Sequence, residues 1–571
     1  MTISRLRMLW RVAVLGLGAL LTAVACLQQS IGSDGLNYLT IGAAYWRGDW
    51  EVAINGIWSP LYGVLAAGVL ALADPPLEWV FPTVQIVNFA IFALSLVCFE
   101  RLWAELRAAY ADPQDAEAYE LLPEWSWWSI GYALFAWAAL DLIEIWAVTP
   151  DMLVACAVYL GASLIVRIAR GRGTLGTHVA LGATLGVGFL AKAPLFPLGL
   201  VALALAALAH RHLRDGLRRT LPAAVAFAVV AGPFLAVLSA RAGRPTFSEV
   251  SRFTYLKHVN RIPYPHWRDG VVTGLGTPAH PPRQVHAEPD VFAYAGPVGG
   301  AYPPSFDPDY WTTGLRPRVD PFQQLNEVAN SLTFYYELFF RERGPFLGIV
   351  TLVLILAWTQ GGRAAFGRAR WELVAWALAC FAMYSLVFVT ERYVAPFVVL
   401  GWGGALTAWR LRASDFARRL SATAGALLVL FALSNVIALN LAGATGLVGF
   451  RPPVEAVRPG QFQDGASASP PAVARALREA GVEPGTDVAH IGYSYTASWA
   501  YLAEARIVAE IWPEQASHFW GADESERETV LDRFREAGAR YAVAEIGPLE
   551  PGAAAGWALL GGTGYLLRPL E

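Results

Sequence analysis

Pro60-Leu61-Tyr62-Gly63-Val64-Leu65-Ala66-Ala67-Gly68-Val69-Leu70-Ala71-Leu72-Ala73 is apolar almost throughout, and how it is read sets the orientation of everything after it. A helix over residues 60–73 rises only about 21 Å at ~1.5 Å per residue, against a hydrocarbon core of about 30 Å. The basic residues decide its status. If the stretch does not span, the arginines at 5–11, 101–107, 167–172, 211–219, 363–370 and 410–419, nineteen in all, fall on one side. Only Arg47, Lys192 and Arg392 then occupy the short loops on the other. That distribution satisfies the positive-inside rule at every turn. A full crossing would send every later basic loop outward, so residues 60–73 read as a re-entrant or interfacial helix.

The rest of the chain fits the same frame. Of 571 residues, 55% are hydrophobic and 16% charged, with 22 Trp and a mean hydropathy of +0.40, a balance that only lipid accommodates. Apolar segments at 9–27, 80–99, 126–147, 152–169, 175–191, 194–209, 221–240, 344–359, 371–390, 393–409 and 420–441 give about eleven spans. The chain is thus mainly α, a polytopic helical membrane protein with its N-terminus in the cytoplasm. Arg5, Arg7 and Arg11 ahead of Ala23-Val24-Ala25-Cys26 resemble a signal peptide, but the run is long enough to be the first span. A net charge of −3 provides no basic field for nucleic acid, so the partners are the membrane and lipid-linked molecules. The cysteines, Cys26, Cys98, Cys156 and Cys380, all fall in or beside apolar stretches, which argues against disulfide or zinc frameworks.

This topology gathers chemistry on the outer face. Asp34 follows the first span in Ser33-Asp34-Gly35-Leu36-Asn37-Tyr38, ahead of the re-entry at Trp58-Ser59-Pro60-Leu61-Tyr62. Asp151 opens the fourth span in Thr149-Pro150-Asp151, also a good helix start. Asp141 and Glu144, three apart, are expected on one helix face near Asp151. Acids inside a span are expensive and usually face a protein interior or a wet cavity. Lys192 ends the fifth span, and Arg392 with Tyr393 sits in the tight turn Thr390-Glu391-Arg392-Tyr393. Snorkelling explains a cation near a helix end; a phosphate group also requires an Arg fork or a Lys ammonium. Carboxylates opposite such cations point to transfer from a phosphate leaving group.

Two further regions lie outward. The segment 241–343 holds twelve prolines between Pro263 and Pro321 and reads as a functional lid or a Pro-braced cover, with Tyr264, His266, Trp267, Tyr302, Phe306, Tyr310 and Trp311 as a saccharide-stacking surface. His266, His280 and His286 match no common metal-site spacing. Beyond the membrane domain at 1–441, residues 442–470 form a polar linker. Residues 471–571 alternate helix and strand signals, the pattern of a small C-terminal α/β domain in the periplasm.

The order of these features resembles the GT-C superfamily of membrane glycosyltransferases, which includes protein O-mannosyltransferases and the aminoarabinose transferase acting on lipid A. The resemblance covers about residues 1–410: an outward Asp after span one, an aromatic/Pro re-entry, an outward Asp opening span four, a Lys after a Gly-rich fifth span and an Arg-Tyr turn before a late span. It implies an inverting glycosyltransferase of the inner membrane. The donor would be a polyprenyl-phosphate-linked sugar, and the acceptor a glycan, lipid or protein outside the cytoplasm. By the resemblance Asp34 and Asp151 are the catalytic acids, and Lys192 and Arg392 contact the donor phosphate. Where members carry Lys-Pro-Pro this chain has Trp58-Ser59-Pro60, so a third cation is missing or comes from elsewhere, with Arg47 the candidate. Tyr38, Trp58, Tyr62, Glu144, Tyr393, Trp267 and Trp311 complete the expected substrate-binding set. Gly35 follows Asp34 where a second acid would stand, so no cofactor is required, while a divalent metal stays open. The rival readings are a carrier or flippase for lipid-linked saccharides, and a membrane scaffold with a periplasmic binding domain.

Overall fold

The computed structural model describes residues 2–29, 31–111, 119–267, 274–296, 299–341, 370–409, 411–444, 469–546 and 554–570. The span expected at 344–359, the basic loop at 363–369 and most of the 442–470 linker lie outside the described residues. The fold is mainly helical with a small sheet domain. Among the described helices, Ile3–Leu27, Leu77–Tyr110, Asp151–Ala169 and Leu213–Ala242 are long and apolar enough to cross a membrane. Pro60–Ala73, Leu175–Ala191, Leu195–Leu208 and Trp371–Ser385 are apolar but shorter.

Asp34 does not lie on a loop. It occupies the first turn of the helix Ser33–Arg47, which packs against the helix Pro60–Ala73. The two backbones nearly touch: a Cβ on Gly42 would stand 2.0 Å from the Gly63 carbonyl oxygen, and one on Gly63 would stand 2.2 Å from that of Tyr38. Only glycine allows helices this close, so Gly42 and Gly63 set the depth at which the Pro60–Ala73 helix docks.

The expected span at 126–147 behaves differently from a plain helix. After Glu124–Ala136 the chain widens into a π-helical stretch, Trp137–Leu142, and Glu144 follows with a left-handed φ of 65°. Asp141 and Glu144 therefore do not share an α-helical face, because the wide turn and the left-handed residue break the 3.6-residue repeat. The irregular segment is held by side chains of Leu77–Tyr110: Gln85 Nε2 donates to the Trp146 carbonyl at 3.0 Å, and Asn88 Nδ2 donates to that of Ala147 at 3.2 Å. These bonds satisfy backbone groups freed by the break and fix the approach to Asp151.

The outer segment and the C-terminal unit are one sheet. Strands β1 (Arg283–Ala287) and β2 (Asp290–Ala293) form a hairpin. The C-terminal unit supplies β3 (Asp487–Ile491), β4 (Arg506–Ile511), β5 (Tyr541–Glu545), β6 (Ala558–Leu559) and β7 (Tyr565–Pro569). The order is β1-β2-β4-β3-β5-β7-β6, with β3 parallel to β4 and β5 and the other pairs antiparallel. The pairing of β2 with β4 sets Phe292 opposite Glu510 and Ala293 opposite Ala509. A buried acid, Glu510, sits at this seam, taking hydrogen bonds from Tyr294 and, at 2.9 Å, Tyr302, with His266 Nε2 at 2.8 Å. Burial raises its carboxyl above the usual range, with His266 opposing the shift. The sheet domain also touches the helices, through the Phe81–Tyr501 ring stack and the Arg475–Glu78 ion pair.

Candidate active site

Four charged side chains meet where apolar helices begin or end. Asp34 lies in the first turn of Ser33–Arg47, Asp151 opens Asp151–Ala169, Lys192 caps the end of Leu175–Ala191, and Arg392 is in the first turn of Glu391–Leu406. They form a continuous array. Lys192 Nζ donates to Asp151 Oδ1 at 2.5 Å, Arg392 Nη2 donates to Asp34 Oδ2 at 2.9 Å, and Arg392 Nε stands 3.9 Å from Asp151 Oδ2. Lys192 Nζ also sits 3.8 Å from the centre of the Tyr393 ring, which stacks on Tyr384 at 5.2 Å. A carboxylate on one side and an aromatic face on the other hold the ammonium in place.

The two acids differ in exposure. The Asp151 side chain is 2% exposed and that of Asp34 is 23% exposed. Asp151 is thus a buried anchor between two cations, while Asp34 presents an oxygen to the cavity. Their cations, Lys192 and Arg392, are 16% and 25% exposed and remain within reach of a ligand.

The array opens into a cavity of about 310 Å³. Of the residues expected from sequence, Asp34, Tyr38, Trp58, Asp151, Lys192, Arg392 and Tyr393 line it. Tyr62 stands one layer behind, edge-on to Tyr38 at 5.6 Å and donating to Asn88 Oδ1 at 2.7 Å. Glu144 lies beyond the lining, in electrostatic reach of Arg392, Asp141 and Glu391. Arg47 is at the far end of the helix that begins beside Asp34, some 20 Å away at ~1.5 Å per residue, and faces the sheet domain near Tyr501. Trp267 packs in a separate small cluster with Leu256, Ile262, Leu275 and Leu315. Trp311 is buried and donates Nε1 to the Pro303 carbonyl at 3.1 Å. Arg47, Tyr62, Glu144, Trp267 and Trp311 therefore do not line the cavity.

Tyr264, expected from sequence in the stacking surface of the Pro-rich segment, covers the outer side of the cavity. Other lining residues escape a reading of the sequence: Tyr495, from the loop after β3, and Lys257 and His258, from the helix Val250–His258. His258 stacks on Phe388 at 4.6 Å. Burial, and then the neighbouring Lys257, pushes its imidazole down to about 4, so it is neutral near pH 7. Its helix is short and polar, no apolar run marks it, and its N-cap, Glu249, is not a capping residue type.

Such a constellation can bind an anion through a guanidinium and an ammonium while a carboxylate stands beside it as a proton acceptor. Among the described residues no group of three or more His, Cys, Asp or Glu gathers as a metal site.

A solved structure of ArnT from Cupriavidus metallidurans bound to undecaprenyl phosphate is similar to this chain over 98% of both chains, with a TM-score of 0.51 and 13% identity. The Archaeoglobus fulgidus oligosaccharyltransferase in complex with Zn and sulfate aligns over 93% of this chain and 68% of its own, with a TM-score of 0.47 and 13% identity. No protein-family model and no curated protein sequence matches the chain. At this identity the likeness is one of fold. The fold shared with that ArnT structure runs along 98% of this chain, beyond the residues 1–410 from which the sequence resemblance was drawn.

Proposed function

We propose that this chain is an integral membrane glycosyltransferase of about eleven spans that moves a sugar from a polyprenyl-phosphate-linked donor to an acceptor hydroxyl outside the cytoplasm. One observation carries the reading: a cavity acid, Asp34, shares a guanidinium with a buried acid–ammonium pair, Asp151 and Lys192. General base and leaving-group cations are thereby neighbours.

The acceptor oxygen attacks the anomeric carbon as the bond from that carbon to the phosphate oxygen breaks. Asp34 takes the hydroxyl proton, and the bonding pair leaves with the lipid phosphate. Arg392 and Lys192 stabilise the charge that collects there, the preorganised electrostatics that usually dominates such steps. A single displacement of this kind inverts the anomeric centre. Asp151 positions the cations without touching the acceptor, as its burial requires. Tyr393 holds Lys192 from the other side, and Tyr38 and Trp58 line the sugar end.

The test is purified protein with a radiolabelled polyprenyl-phosphate sugar and a mixed envelope extract. Transfer of label to an acceptor is the expected result. Intact donor crossing a vesicle membrane without cleavage of the phosphate–sugar bond would replace the transferase with a carrier.

A further inference from the structure

The helix Val250–His258 lies across the cavity with two distinct faces. Val250, Ser251, Thr254, Lys257 and His258, spaced at one, four, seven and eight residues from the first, all line the cavity. Its other face is clamped. Leu256 is fully buried against Ile262, Trp267 and Leu315, and Arg252 donates to the Leu315 carbonyl at 2.9 Å while pairing with Asp309 and with Glu249. The start of the helix is fixed by Glu249 N–H to the Gly56 carbonyl at 2.8 Å, in the turn before the Pro60–Ala73 helix. Lys257 is thus delivered to the cavity by a braced element, not by a free loop.

The charges of the lining fix what Lys257 is for. Arg392 and Lys192 are matched by Asp34 and Asp151, so those four side chains sum to zero. Glu391, outside the lining, adds negative charge behind Arg392. Lys257 has no carboxylate partner among the described residues, and its neighbour His258 is neutral near pH 7. A phosphodiester carries one negative charge, and a diphosphate diester carries two. A low-dielectric cavity tolerates the first only if one unpaired cation is present, and leaves the second undercompensated.

We infer that Lys257 is the third cation of the donor site, in the place the sequence left open after Trp58-Ser59-Pro60, and that the completed cavity selects donors carrying a single phosphate over those carrying a diphosphate. This rests on the lipid-phosphate donor proposed above. It assigns the cation to an element of the outer segment that no span pattern marks, and it names the donor class by charge.

The experiment measures binding of two sugar-free probes of equal chain length, polyprenyl methyl phosphate and polyprenyl methyl diphosphate, to the purified full chain in nanodiscs. The wild type should prefer the monophosphate by roughly tenfold or more, and Lys257→Gln should weaken that binding by roughly tenfold, the effect of one lost charge-assisted contact. Lys257→Arg should restore most of it. Excess phosphatidylglycerol should not displace the probe; displacement would mean a site for any phospholipid headgroup and overturn the inference. Equal affinity for the two probes, or a Lys257→Gln variant that binds like the wild type, overturns it as well while leaving the donor reading intact. A wild type that binds neither probe removes the donor reading itself. Because Lys257 is exposed, its replacement leaves the core untouched, and an unchanged unfolding temperature confirms that the fold is intact.

Discussion

Asp34 and Asp151 share Arg392, yet their environments assign them different work. Asp34→Asn keeps the shape and a hydrogen bond toward Arg392 but removes the proton acceptor, so turnover should fall by about 10² to 10⁴-fold with lipid-phosphate binding largely retained. Single-turnover transfer measured beside equilibrium binding checks this, and an Asn variant with wild-type turnover would leave Asp34 without a catalytic role. Asp151→Asn should act mainly through Lys192. The ammonium keeps an amide oxygen to donate to but loses the negative charge beside it, and binding of the lipid phosphate should weaken together with turnover. Arg392→Lys should not restore either function, because a point charge cannot span Asp34 and Asp151 as the planar fork does. Asp34, Asp151, Lys192 and Arg392 were legible because each stands at a helix junction, where an apolar run stops and its sidedness can be counted. Tyr62, Trp267 and Trp311 were not separable from them in sequence, since an aromatic looks the same whether it faces a cavity or a core. Lys257 lay hidden because a nine-residue polar helix carries no apolar period.

At the scale of elements, the contact between Ser33–Arg47 and Pro60–Ala73 sets the floor of the site. Gly63→Ala would place a methyl against the Tyr38 carbonyl and should cost about 1–3 kcal/mol, with loss of activity, because Tyr38 and Asp34 ride on the displaced helix. Gly16→Ala is the matched control. Nothing lies within 4 Å of a Cβ there, so the helix should gain stability by up to about 1 kcal/mol. Thermal unfolding of both variants beside the wild type decides the point, and a Gly63→Ala protein as stable as wild type would mean that the helices separate freely. The fourteen-residue length of Pro60–Ala73 was readable from length arithmetic alone. The break after Ala136 was not, since nothing in an unbroken apolar run announces a π-helical turn. The hairpin of β1 and β2 was equally silent, because its partner strand β4 lies more than two hundred residues further along the chain.

At the scale of the molecule, the charge asymmetry and the sheet domain each make a measurable claim. With Cys26 changed to Ser, a cysteine at Ser525 should react with an impermeant reagent in intact spheroplasts and one at His212 should not; the reverse pattern would invert the orientation and every site assignment with it. Asp307, in the outer segment, has its carboxyl raised to about 6 by burial. The folded state therefore binds the extra proton, and the associated stability is full below about 3.8 and lost as the pH rises through about 6. Two pH units correspond to about 3 kcal/mol, reduced to roughly 1–2 because the side chain keeps some solvent contact. Asp307→Asn should flatten the fall in unfolding temperature across that window, and an unchanged slope would assign the fall to other groups. One feature of the site reaches beyond its side chains. Asp34, Asp151 and Arg392 all stand in opening turns, so three helices aim their amino ends at one cavity. Their backbone dipoles converge there, each offset by a carboxylate in its own first turn, Asp34, Asp151 or Glu391. That fixed field needs no proton and cannot be mutated away one residue at a time. It favours the lipid phosphate after transfer, so loss of a single lysine should attenuate anion binding without abolishing it.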